Sequence, residues 1–356
     1  MFPLVLLLSL AAPDAPPKPI PWNACLRQSA AWYASDEALR IADLVLLYQR
    51  DTGGWPKNIE MSEPLDAKAE AVVRAAKKVR TDSTIDNGAT HTQLTYLANV
   101  FAATKDERCR DGFRRGLDYL LSGQYPNGGW PQFWPGAKGY LTHITFNDDA
   151  MTSVLTLLSA IAARAAPFGE ITSPEQRARA KAAVDKGTAC ILACQVVVAG
   201  QKTGWCAQHD QHTLAPAPAR SYELVSLSGA EGVSVVRYLM SIERPSAEVI
   251  AAVKAAAAWF EAVKIQGIKV VEKPDPKLPK GYDRVVVADP QAPPLWARFY
   301  QIGTNRPIFC GRDGVIRASL AEIEHERRIG YAWYTNRAQS LLEREYPAWR
   351  EKWGAR

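Results

Sequence analysis

Residues 124–149, QYPNGGWPQFWPGAKGYLTHITFNDD, decide how the chain is read. The segment begins where an amphipathic helix runs out, turns through Gly128-Gly129-Trp130-Pro131, and ends in Asn147-Asp148-Asp149 ahead of the run AMTSVLTLLSAIAAR. Glycine and proline stop a helix, and Asn or Asp favour the start of the next. The stretch is therefore a joint between two helices.

Both ends of the joint recur. Gly-Trp pairs stand at 54/55, 129/130 and 204/205, 75 residues apart each time, and Gln49 and Gln124 share that interval. Each turn follows a helical pattern: residues 36–50 with Ser35 as N-cap, FRRGLDYLLSGQ at 113–124, and VDKGTACILACQVVV. Each is followed by a second helix, opened by TIDNGAT at 84–90, by TFNDDAM at 145–151, and by SLSGAEG at 226–232. Thr84, Thr145 and Ser226 align as N-caps of these second helices. The unit is longer than a TPR or HEAT repeat, so the pattern predicts a mostly α fold, an α/α toroid of three helix-pair repeats forming a partial ring.

Residues 62–80, polar and rich in Lys and Ala, read as a surface excursion. A further helix follows at 247–265. KVVEKPDPKLPKGYDRVVVADPQAPPLWARFYQI then predicts short β segments and long loops near the C-terminus, before a charged final helix ending at Trp353. No linker divides the chain, so residues 21–356 form one domain. Residues 1–20 contain an apolar run, Phe2 to Ala12, followed by Pro13, Pro16, Pro17 and Pro19. This reads as a signal peptide with a proline-rich start, and predicts a secreted or periplasmic protein. No later stretch approaches the roughly 20 apolar residues of a membrane span.

The 356 residues carry a net charge of +6 with Lys and Arg dispersed, which suits an anionic partner. None of the six cysteines forms a CxxC pair, which argues against structural zinc.

Three groups of residues bear on chemistry. Asp86-Asn87 and Asn147-Asp148-Asp149 cap helices, but equivalent ends of a toroid share a face, where two acidic pairs converge and suit Ca²⁺ or Mg²⁺. Helix N-termini repel cations, so such a metal needs more than one carboxylate and is completed by the ligand. Trp55, Trp130 and Trp205 sit in glycine-rich loops, either covering helix ends or offering platforms for sugar rings; Lys57 adds a cation beside Trp55. Arg220 precedes the third unit's second helix, and Arg306 lies in a turn-rich loop. Arginine grips carboxylates in bidentate fashion, so this pair beside an acidic metal cluster reads as a site for polyanionic carboxylates.

DTGGWPKN (51–58), TIDNGAT (84–90), GGWPQFWP (128–135), THITFNDDAM (142–151), GWCAQHD (204–210), ARSYE and SLSG (219–229), and WARFYQIGTNRPIF with GRDGV (296–315) resemble the pectate lyases of polysaccharide lyase family 10. The resemblance runs from about Asp51 to Tyr334, with motifs in order. It implies a toroid of three repeats and calcium-assisted β-elimination of polygalacturonate, with neither nucleic acid nor membrane as partner and a monomer as default. Arg220 is implied as the base that removes the C5 proton, Asp86 and Asp148 as ligands of Ca²⁺, and Arg306 as a ligand of a substrate carboxylate. Trp55, Lys57, Asn87, Trp130 and Trp205 complete the expected substrate contacts. Val225 stands where proline is common in the family, and Gln301 where an acid is common. An inverting glycosidase built on Asp86 and Asp148, and a non-catalytic acidic-glycan module, are the alternatives. A triterpene cyclase shares the Gln-to-Trp spacing but needs a DxDD motif that the chain lacks.

Overall fold

The computed structural model describes residues 19–354, so the expected signal peptide lies outside the described residues apart from its last two positions. Helices dominate, and the strands among the described residues form only two-stranded pairs. The helices that build the core are α1 (Asp36–Tyr48), α2 (His91–Thr104), α3 (Glu107–Ser122), α4 (Ala150–Ala162), α5 (Pro174–Cys194), α6 (Glu231–Met240) and α7 (Ala247–Ala262). Ser35 caps α1 by accepting the Ala38 N–H at 3.2 Å, as its sequence predicts. Ser173 and Gln176 cap α5 reciprocally in a capping box.

Helix α2 folds back on α3, α4 on α5, and α6 on α7. Along the chain α2, α4 and α6 touch in succession, as do α1, α3, α5 and α7, giving two helical layers around one buried cluster. A polar helix at Ala67–Ala76 lies on the surface with no buried residue. A hairpin pairs Ile268–Pro274 with Tyr282–Ala288, and the last helix is Tyr346–Trp353. The six cysteines are buried and free, and no helix among the described residues is long and apolar enough to cross a membrane.

The tryptophans explain the repeat. The last carbonyls of a helix lack partners within it. The Trp55 indole N–H donates to Val45 O in the last turn of α1 at 2.7 Å, Trp130 to Leu120 O of α3 at 2.8 Å, and Trp205 to Ile191 O of α5 at 2.7 Å. Trp296 does the same for Phe260 O of α7 at 2.8 Å, a fourth instance with no glycine before it. All four rings are wholly buried. The sugar-platform expectation for Trp55, Trp130 and Trp205 is therefore corrected: no ring face is open for a sugar to stack on.

Glutamines join neighbouring units. Gln49 donates to Gly53 O and to Gly112 O of α3, Gln124 to Gly128 O and Ala183 O of α5, and Gln195 to Thr203 O and Ala252 O of α7. Gly53 (φ 93°) and Gly128 (φ 94°) sit so close to the next helix that a Cβ would lie 2.3 Å from Arg115 O and 2.1 Å from Lys186 O. Only glycine fits such a turn.

The chain after each tryptophan forms rungs. Thr84, Thr145 and Ser228 donate their N–H groups to the carbonyls of Trp55, Trp130 and Trp205. One residue on, Ile85, Phe146 and Gly229 donate to Gln132, Ala207 and Arg298 of the next unit. This ladder corrects the expected N-caps. Thr84 and Thr145 are held extended, so α2 and α4 start later, and Ser228 rather than Ser226 is the third counterpart.

Candidate active site

Just beyond the rungs the chain makes a tight turn in each of the first two units. Asn87 (φ 49°, ψ 38°) and Asp148 (φ 49°, ψ 34°) adopt the same left-handed conformation, which Asn and Asp tolerate best among side-chain-bearing residues. By this register Asp86 matches Asn147, and Asn87 matches Asp148. The corresponding place in the third unit is Glu231, at the start of α6. The two turns pack against each other and the second packs on α6, so Asp86, Asp148 and Glu231 gather at one end of the helices.

Two cations bracket this row. Lys57 stands two residues after Trp55 and pairs with Asp86 Oδ2; its ammonium lies 5.5 Å from the centre of the Phe133 ring. Arg298 stands two residues after Trp296. Its guanidinium pairs with Glu231 and reaches Asn147 Oδ1 at 3.3 Å and Asp148 Oδ1 at 3.4 Å. Lys57 thus holds Asp86 on one side of the site, and Arg298 joins Asp148 to Glu231 on the other. Glu231 and Arg298 escaped the sequence reading. An acid in a first helical turn looks like a dipole partner, and Arg298 sits inside a motif with no Gly-Trp pair to mark its register.

Burial raises the Asp148 carboxyl above the usual carboxylate range, and Glu231 and Asp86 push it the same way against the pull of Arg298. Asp86 is buried, and its Oδ1 has no hydrogen-bond partner among the described residues. An all-oxygen donor set with a buried orphan carboxylate oxygen and mutual carboxylate repulsion fits a hard divalent cation such as Ca²⁺. Among the described residues no three His, Cys, Asp or Glu side chains are gathered closely enough to cage a metal alone. Asp149, next in sequence, turns away and pairs with Arg337 at 2.6 Å.

Arg220 reaches this cluster through Tyr331. Its guanidinium clasps Glu223 with two N–H groups and lies 5.0 Å from the Tyr222 ring and 5.9 Å from the Tyr331 ring. The Tyr331 hydroxyl donates to Glu223 Oε1 at 2.7 Å, and its ring lies 4.4 Å from the guanidinium of Arg298. The bond to Glu223 raises the Arg220 pKa further above its ordinary value. Burial alone would raise Glu223, but Arg220 and Tyr331 bring it below the usual range.

The loop that carries Arg220 is anchored by His209. His209 Nε2 accepts the Cys206 N–H at 3.2 Å, so Nδ1 bears the hydrogen and donates to Leu214 O at 2.8 Å. The same ring packs edge-on against Phe146, one residue before Asn147. Ile144–Thr145 pairs with Gln208–His209, which ties the acidic turn to the arginine loop.

Other expected residues are less tightly drawn in. Asn87 is exposed and donates to Asn58 Oδ1 at 2.9 Å. A groove of about 420 Å³ runs past Lys57 and Asn87, lined also by Trp22, Asn58 and Thr92. The Arg306 guanidinium is exposed and has no partner among the described residues, while its backbone closes a turn with Gln301. Val225 is exposed and Gln301 accepts from Thr304 at 2.9 Å.

A comparison with family models matches residues 49–342 to the family described as pectic acid lyase. A search of curated protein sequences finds no match. Among solved structures, the family 10 polysaccharide lyase from Cellvibrio cellulosa superposes with a TM-score of 0.77 at 35% identity, covering 94% of this chain and 95% of that one. A mutant of that lyase in complex with trigalacturonic acid also superposes at 0.77 and 35% identity, covering 94% of this chain and 96% of its own. With the family model matching most of the chain and the solved lyases aligned nearly end to end, this chain belongs to the pectic acid lyases of polysaccharide lyase family 10.

Proposed function

We propose that this polysaccharide lyase cleaves polygalacturonate by calcium-assisted β-elimination with Arg220 as the base. The observation that carries the reading is the meeting of Asp86 and Asp148, from equivalent turns of successive units, with Arg220 joined to them through Tyr331 and Arg298. Asp86 and Asp148 would hold Ca²⁺, which supplies positive charge to the uronate carboxylate and makes the C5 proton acidic. Arg306, whose guanidinium has no partner among the described residues, would hold a second carboxylate, and Lys57 and Asn87 line a groove for the adjoining sugar. Arg220 would take the C5 proton, the C4–O bond would break, and the C4–C5 double bond would form as the glycosyl oxygen leaves. A guanidine is a base only when its proton is lost, so the reaction belongs to alkaline pH.

The helix layers would curl into the α/α toroid as a partial ring, with residues 21–356 as a single catalytic domain, monomeric and exported. Binding of trigalacturonic acid by the mutant relative supports a galacturonan substrate. An inverting hydrolase on the same acids has less support, because the matching family model and both solved relatives are lyases.

Incubation with polygalacturonate, with and without chelator, tests the reading. Chelator-sensitive absorbance from unsaturated uronates is expected. New reducing ends without that absorbance would contradict it.

A further inference from the structure

The calcium-assisted reading leaves one arrangement unused. The acids that would hold the metal already have cations, supplied by equivalent positions of the first and last tryptophan turns. Lys57 sits on Asp86 Oδ2 and Arg298 on Asp148 and Glu231. Three carboxylates against two cations leave the row with only one surplus negative charge. The two cations are also held differently. The Arg298 side chain is 11% exposed and has Glu231, Asn147, Asp148 and the Tyr331 ring around it, so it is fixed. The Lys57 side chain is 32% exposed at the edge of the groove, with one ion-pair partner and one ring beneath it among the described residues, so it is less enclosed than Arg298.

We infer that Lys57 is an internal counter-ion that keeps a divalent cation off Asp86 until a uronate carboxylate in the groove draws its ammonium away, so that metal and substrate bind together. The inference rests on the calcium reading above and deepens it. A divalent ion placed on Asp86 beside an undisplaced ammonium meets a repulsion of more than about 1 kcal/mol at near-contact separation, even with strong screening. With a substrate carboxylate present, the ammonium gains a new partner, the Asp86 carboxylate would be released to hold the metal, and the substrate would add its own oxygen. Arg298 stays in place and limits the net charge of the row, which makes tight metal binding without substrate unfavourable.

Calorimetric titration of the full chain with calcium, without substrate, tests this. Lys57→Met is expected to bind calcium at least about tenfold more tightly than the wild type. Adding Asp86→Asn to Lys57→Met should abolish that gain, and saturating trigalacturonate should narrow the gap between wild type and Lys57→Met. Should Lys57→Met misfold, as judged by its melting curve, Lys57→Gln keeps a hydrogen bond to Asp86 and carries the same expectation. Calcium binding without substrate that is equal or weaker in the neutral variant would overturn the counter-ion role while leaving calcium-assisted elimination standing. No calcium binding by the wild type even with trigalacturonate would overturn both.

Discussion

Arg220 carries the sharpest consequence at the level of single residues. Its partner Glu223 and the rings of Tyr222 and Tyr331 hold it as a cation, so the reactive neutral form is scarce near neutrality. Arg220→Ala should lower the rate of unsaturated-product formation by about a thousandfold or more, and because it strands the buried Glu223 carboxylate it should also lower the melting temperature. In the wild type the same rate should climb into the alkaline range and fade at mildly acid pH; a maximum in acid would remove Arg220 from the role of base. Asp148 offers a test of opposite sign in stability. Its carboxyl is raised by burial and by Glu231 and Asp86, so its ionised form costs stability, which returns as pH falls through its folded-state pKa. Asp148→Asn should therefore leave the metal-free protein equally or slightly more stable at neutral pH. The gain should stay below about 1 kcal/mol, because the side chain is 41% exposed and water screens it. Activity should nevertheless fall by at least about a hundredfold. Asp86, Asp148 and Arg220 were legible in the sequence because they stand in turn-rich stretches beside marked helix starts. Glu231 and Arg298 were not, since their importance comes from register across units, which only the ladder of backbone bonds fixes.

Two devices between elements make their own predictions. Gln195 is buried and satisfies Thr203 O and Ala252 O at once. Gln195→Ala strands both carbonyls and should cost about 2–3 kcal/mol in chemical denaturation. The sequence interval that links Gln49 with Gln124 misses Gln195, because a small hairpin of Val197–Val198 with Gln201–Lys202 lengthens the third turn. Trp296 was hidden in the same way by the longer hairpin before it and by Leu295 in place of glycine. His209 makes the second prediction. Burial pushes its pKa down to about 4, so the folded protein keeps it neutral while the unfolded chain takes up a proton below its ordinary value near 6.5. Stability is whole above pH 6.5 and is lost as pH falls toward 4, by up to about 3 kcal/mol from this residue. His91, pushed down to about 4 by burial, adds to the same trend. Denaturation curves at several pH values should show the loss, and His209→Gln should flatten it.

For the whole molecule, the helical layers were legible because a 75-residue interval between Gly-Trp pairs is a long-range signal that single substitutions do not erase. What the tryptophans do was not legible. A ring in a glycine-rich loop looks the same in sequence whether it faces a sugar or seals a helix end, and here the indole N–H bonds to helix carbonyls decide it. The central claim is that this scaffold gathers acids and an arginine for elimination rather than hydrolysis. A digest of polygalacturonate run in water enriched in heavy oxygen and read by mass spectrometry tests it most directly. Elimination predicts fragments ending in an unsaturated uronate, one water lighter than hydrolysis products and without label from the cut. Saturated fragments carrying one heavy oxygen for each bond broken would contradict the account.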